Sequence, residues 1–175
     1  MPADQAEAFD SYVQGRGSVP ETGPLAVMLN APEMLARGEH LRAYLRGDGS
    51  SLPADITELA MLVTAREMDC QHIWNAHAAS AKQAGIDPDI VDSLRDEVEL
   101  PDLAPDEAAT ITYGREFFQT HHVSRGGFQA ALEQFGRQGL VELTMLMGNY
   151  ALLAFTINAF DSDLPPDRTE PLLPI

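Results

Sequence analysis

Eighteen consecutive residues, Leu143 to Phe160 (LTMLMGNYALLAFTINAF), carry no charged side chain. Such a run is stable in a folded protein only if much of its apolar surface leaves water. Thr144, Gly148, Asn149, Thr156 and Asn158 interrupt it, and it has no basic flank. A buried core helix is therefore expected rather than a membrane span. No segment alternates apolar and polar residues as a half-buried strand does, whereas apolar residues recur at helical spacing throughout. The expected fold is all-α, a bundle of eight or so helices joined by short loops.

At 175 residues and 45% hydrophobic composition, the chain suits one domain with a real core. Its formal net charge of −16 repels polyanions, so neither nucleic acid nor an anionic membrane is an expected partner. A small-molecule substrate remains open, since a few local cations can dominate one pocket. The single cysteine, Cys70, excludes an intramolecular disulfide, a CxxC redox pair and a zinc site built on several cysteines. MPADQAEAFD, polar and acidic, lacks the basic start and apolar core of a signal peptide, so the expected location is cytoplasmic.

Along the chain, Ala3–Gln14 reads as a first helix, 15–24 as a Gly/Pro loop and Leu25–Asn30 as a short apolar segment. Pro32 opens a helix to about Arg46, with Met34, Leu35, Leu41 and Leu45 as its buried stripe. Pro53 opens the next, to about Glu67. Asp69 is expected to cap a helix ending at Gly85, and Asp87-Pro88 begins another. After the linker LPDLAPDE, a helix runs from Pro105 or Asp106 to His121-His122. Ser124 caps a segment to Gly136, Gly139 precedes the last long helix, and a proline-rich tail (162–175) is expected to lie extended or draped over a neighbour.

The chemistry concentrates between Glu58 and Gly85. In a helix starting at Asp69, Cys70 occupies the first turn, where backbone N–H groups and the helix dipole favour a thiolate. His77 lies two turns on along the same face, with Ile73 and Trp74, roughly 10 Å away along the axis. Glu58 borders the apolar face of the preceding helix. Each residue also has a plain structural reading: a buried thiol, a hydrogen-bonded core histidine, a first-turn glutamate. His72 points away from Cys70 and suits an interface. Arg66 could meet a substrate carboxylate or pair with Glu67 or Asp69. His121 and His122 match no metal-binding spacing, and no metal or cofactor is expected.

The text Glu58-Leu59-Ala60-Met61-Leu62 recurs as Glu142-Leu143-Thr144-Met145-Leu146, an offset of 84 residues. A duplicated unit is expected, with a first repeat at about 25–98 and a second at about 105–161 inside one domain, 1–175. Ala154 stands 84 residues after Cys70 and Asp161 after His77, so the second copy lacks the chemistry.

P-x-x-x-x-E-L-A-M-L-V-T-A-R-E, then CQHIWNAH, then A-x-x-A-G-I resembles the carboxymuconolactone decarboxylase family, whose superfamily includes the alkylhydroperoxidase D peroxidases. The likeness spans roughly Pro20 to Phe160 and is greatest to the longer decarboxylase-like members. It implies an all-helical bundle with a pseudo-duplicated unit, assembled as a trimer or hexamer. It implies a site of Glu58, Cys70 and His77, with Arg66, His72, Ile73 and Trp74 as substrate-binding neighbours. It implies a cofactor-independent enzyme acting on a small organic acid or lactone by proton transfer or decarboxylation, with His77 as acid/base, Glu58 as orienting carboxylate and Cys70 as donor or nucleophile. Ile73 stands where family members place a second cysteine or a glutamate, so a dithiol peroxidase cycle cannot close within the chain. Two alternatives stay open: a peroxidase using Cys70 with an external thiol, and a non-catalytic helical oligomer.

Overall fold

The computed structural model describes residues 3–166, 168 and 170–175. Met1, Pro2 and two residues of the expected tail, Asp167 and Thr169, lie outside them. The described residues form eight helices and no strand: α1 Ala3–Arg16, α2 Gly23–Met28, α3 Pro32–Arg46, α4 Ala54–Glu67, α5 Gln71–Ala84, α6 Pro88–Asp96, α7 Pro105–Thr120 and α8 Arg125–Ala159.

α4 is the centre. Ile56, Thr57 and every residue from Leu59 to Arg66 are buried, because α5, α6, α7 and α8 all pack around it. An interior of this kind is close-packed, so each large aliphatic side chain in it is worth about 2–5 kcal/mol against truncation to alanine. Gly114 of α7 makes the closest approach possible. A Cβ there would meet Val63 Cγ1 at 2.7 Å and Met147 Cε at 3.0 Å. α1 packs on α3, and α2 and α3 pack on α8.

Several sequence expectations are corrected. The apolar run 143–160 lies in α8, which is long and apolar enough to cross a membrane by length and composition, but only half of its most apolar window is buried. Val141, Met145, Leu152, Phe155 and Phe160 stand exposed, because none of the described residues covers that side of α8. On α3, Leu35 and Leu45 are buried, but Met34 and Leu41 are 55% and 38% exposed. The segment from Ser124 breaks at Gly136 (φ 65°, ψ −175°), its expected end, since only glycine takes that conformation without cost, but the helix resumes directly after it rather than after Gly139. Gly139 is instead buried against Phe135, Ser51 and Leu52. The apolar segment after the first loop begins earlier than expected, as α2 from Gly23 with Pro24 in its first turn.

The largest correction concerns the start of the cysteine helix. Asp69 does not cap it. It adopts the left-handed conformation (φ 48°) and closes α4: Asp69 N–H donates to Arg66 O at 3.1 Å and Cys70 N–H to Ala65 O at 2.8 Å. These are the two bonds of a Schellman turn. Cys70 becomes the N-cap, and α5 begins at Gln71. Gly85 (φ 116°) ends α5 in the same way, as its position in the sequence leads one to expect.

The tail packs on its own chain. Gln71 donates from Nε2 to Leu173 O at 2.7 Å and accepts from Leu173 N–H at 2.9 Å. Trp74 Nε1–H donates to Pro171 O at 3.1 Å, and Lys82 pairs with Glu170 at 2.8 Å.

Candidate active site

The Schellman turn folds α4 and α5 into a tight helical hairpin. Glu58 lies ten residues before Met68 at the hairpin's end and His77 nine after it, so they sit opposite one another on facing helices. His77 Nδ1 and Glu58 Oε2 are 2.8 Å apart. The two side chains are 9% and 16% exposed, so the pair is shielded without being sealed. A carboxylate can only accept a hydrogen bond, so with Glu58 ionised it is the Nδ1–H of His77 that donates.

Glu58, not His77, lines the adjoining cleft. This opening of about 340 Å³ lies between the α3–α4 loop and α5, with Arg46, Ser50, Thr57 and Ser80 around the carboxylate. Arg46 is a cation within that wall. Behind the pair, Tyr150 of α8 meets His77 edge to face, ring centroids 5.3 Å apart and planes at 78°. Burial pushes the Tyr150 phenol up to about 12, opposed by Arg46 and Arg42 and reinforced by Glu58 and Glu39.

The other expected site residues go elsewhere. Cys70 is fully buried, and burial raises its thiol above the usual range, although the N–H groups of Ile73 and His72 favour the thiolate. The expected helix-end activation is present but loses to desolvation. Among the described residues no hydrogen bond joins Cys70 to Glu58 or His77. Arg66, buried, bonds Asp69 at 3.0 Å and Glu97 at 3.1 Å. Those partners are two of the four non-glycine residues with positive φ among the described residues, so Arg66 ties together the ends of α4 and α6. Ile73 and Trp74 are core residues. His72 packs against Gly23 and lines a separate cleft with Gln71, Ser162 and Asp163. Burial lowers its basicity, with a backbone bond to Asp163 opposing. None of Arg66, His72, Ile73 or Trp74 lines the cleft at Glu58. Among the described residues no three His, Cys, Asp or Glu side chains converge as a metal site.

Sequence reasoning missed Tyr150 and the cleft residues. Tyr150 sits inside the uncharged run of α8, where helical spacing marks it only as core. The one signal available was its polar tip in an otherwise apolar segment.

An all-helical bundle carrying a carboxylate–imidazole pair on a helical hairpin defines the class. Residues 32–116, which contain α3 to α7 up to Glu116 and both members of that pair, match the model of the Carboxymuconolactone decarboxylase family, which the chain resembles over this segment. No protein of curated function matches the sequence. Among solved structures, the chain is similar to the alkylhydroperoxidase AhpD core, an uncharacterized peroxidase-related protein from Ralstonia eutropha JMP134, with 15% identity, 95% of this chain and 87% of that one covered, and TM-score 0.69. A peroxidase-related protein from Silicibacter sp. TM1040 is similar at 16% identity, 94% and 86% coverage and TM-score 0.69. The debrominase Bmp8, solved with 2,3,4-tribromopyrrole, is similar at 14% identity, 94% and 87% coverage and TM-score 0.70. At these identities the likeness establishes the AhpD-like helical fold.

Proposed function

We propose that the chain is an enzyme of the carboxymuconolactone decarboxylase family that moves a proton next to a carbonyl in a small organic acid or lactone, with loss of carbon dioxide where the substrate carries a suitably placed carboxylate. The observation that carries this reading is the 2.8 Å Glu58–His77 pair at the wall of a cleft of about 340 Å³. Glu58, the member facing the cleft, takes the proton and returns it to carbon. His77 holds the carboxylate in place and shares its charge through Nδ1–H. This reverses the roles expected from the sequence, because burial puts the imidazole behind the carboxylate. Arg46 offers the cation for an anionic substrate. Cys70 is given no step, since its thiol is sealed from the cleft.

The test is an assay of the purified protein on 4-carboxymuconolactone and related lactones, following substrate loss. Turnover lost in Glu58→Gln and His77→Ala supports the proposal; full turnover in Glu58→Gln overturns it. A second reading, a thiol-dependent peroxidase using Cys70 alone, draws on the N–H groups of His72 and Ile73 that favour its thiolate. Peroxide treatment followed by mass measurement decides it: added oxygen or a mixed disulfide at Cys70 supports it, and an unchanged mass ends it. Self-association belongs to the same proposal. The exposed Val141, Met145, Leu152, Phe155 and Phe160 on or beside α8 are the surface through which copies of this chain would meet.

A further inference from the structure

The contact behind the acid/base pair has a use of its own. Among the described residues His77 is tied by hydrogen bonding on one side, by Nδ1 to Glu58. A single hydrogen bond fixes a distance but leaves the imidazole free to rock about its Cβ–Cγ bond and lose aim. The ring of Tyr150 lies across that motion, edge to face at 5.3 Å and 78°. Tyr150 is itself 3% exposed and held in α8 among Leu146, Met147, Leu153 and Ala154, all buried. A rigid ring on a buried helix is a firm stop.

We propose that Tyr150 is a positioning residue of the Glu58–His77 pair, supplied by the second half of the chain, and that it acts through its ring rather than its hydroxyl. This rests on the acid/base reading of that pair. The hydroxyl has no hydrogen-bond partner among the described residues; the influences on it are burial and the charges of Arg46, Arg42, Glu58 and Glu39. The ring, by contrast, has a defined geometry against the imidazole. The echo of the first repeat in the second thus gains a meaning: the second copy has no histidine at the position matching His77, where Asp161 stands, yet its helix steadies the pair in the first.

The test reads the imidazole directly and needs no substrate. The ring nitrogens of His77 are observed by nitrogen-15 NMR, assigned by loss of the signal in His77→Ala, across a pH titration. The native protein is expected to show one tautomer, protonated at Nδ1. Tyr150→Phe is expected to keep that pattern. Tyr150→Leu is expected to give averaged tautomers, with helix content by circular dichroism unchanged. Should Tyr150→Leu not fold, Tyr150→Met, unbranched and adaptable, takes its place. An unchanged tautomer in a folded Leu or Met variant overturns the proposal, as does a Phe variant altered as much as the Leu one. Glu58→Gln separates the two readings. If it leaves the His77 tautomer unchanged, the pair itself fails. If it disturbs His77 while Tyr150→Leu does not, only the role of Tyr150 fails. With a turned-over substrate in hand, Tyr150→Leu lowers kcat by about tenfold or more with KM little changed, the signature of lost aim.

Discussion

Glu58 and Glu142 head the same five-residue text and meet opposite fates. Glu58 lines a cleft and bonds one imidazole. Glu142 is buried and accepts from Tyr44 Oη at 2.7 Å, Ser51 N–H and Oγ at 2.7 Å each, Gln138 Nε2 at 2.9 Å and Ser50 Oγ at 3.3 Å. Burial alone would raise its carboxyl, but the donors from Ser51, Gln138 and Tyr44 outweigh that and bring it from 4.5 to about 2. A carboxylate lowered in the folded state stabilises above its unfolded value and loses that contribution as pH falls through the folded one. Stability is therefore expected to fall between about pH 4.5 and 2, and Glu142→Gln should flatten that part of the curve. Chemical denaturation across this range checks it. Tyr150 has the opposite sign: a phenol raised to about 12 contributes fully below its unfolded value near 10 and loses the contribution as pH rises toward 12. At Cys70, full burial and a raised thiol predict alkylation by iodoacetamide that is slow in the native protein and fast in denaturant. Rapid native labelling would contradict the burial.

At the scale of elements, the α4–α5 hairpin is the device that builds the site. Its turn depends on Asp69 in a left-handed conformation that few non-glycine residues adopt, held by the Arg66 guanidinium. Arg66 also reaches Glu97, the left-handed residue ending α6, while its Nε atom is buried without a partner. Arg66→Ala is expected to cost about 1–3 kcal/mol, by leaving two strained helix ends unsupported. Asp69→Gly should restore part of that loss in the double variant, because glycine takes the left-handed conformation freely. Urea unfolding of the single and double variants measures both. Gly114 sets the spacing of α4, α7 and α8, so Gly114→Val should destabilise by about 1–3 kcal/mol through overpacking against Val63 and Met147.

The whole molecule has two apolar surfaces, and only one is covered. The inner one surrounds α4. The outer one runs along α8 from Val141 to Phe160 and continues into a groove of about 560 Å³ between α2, α3 and α8, where Met34, Leu41, Leu152 and Phe160 meet. If this surface joins copies of the chain, Phe155→Glu should shift light-scattering mass toward the monomer while leaving helix content unchanged. An unaltered mass would exclude that face as the contact.

Helical class and most helix boundaries were legible in the sequence, because capping residues, prolines and the 3.6-residue period act locally. Pro32, Pro88, Pro105, Ser124 and Gly85 stand at or beside helix ends, as their chemistry requires. Glu58 and His77 were singled out together through the family resemblance, and their 2.8 Å contact became visible only in the fold. What only the tertiary structure decided is which side chains share a volume. Arg66 was claimed by Asp69 and Glu97, Trp74 by the tail, and Cys70 by the core. Glu58 rather than His77 reached the cleft, and Tyr150 arrived from a helix 73 residues along the chain. The physical reason is that periodicity tells which face of a helix is apolar, whereas desolvation, ion pairing and ring contact depend on what packs against that face.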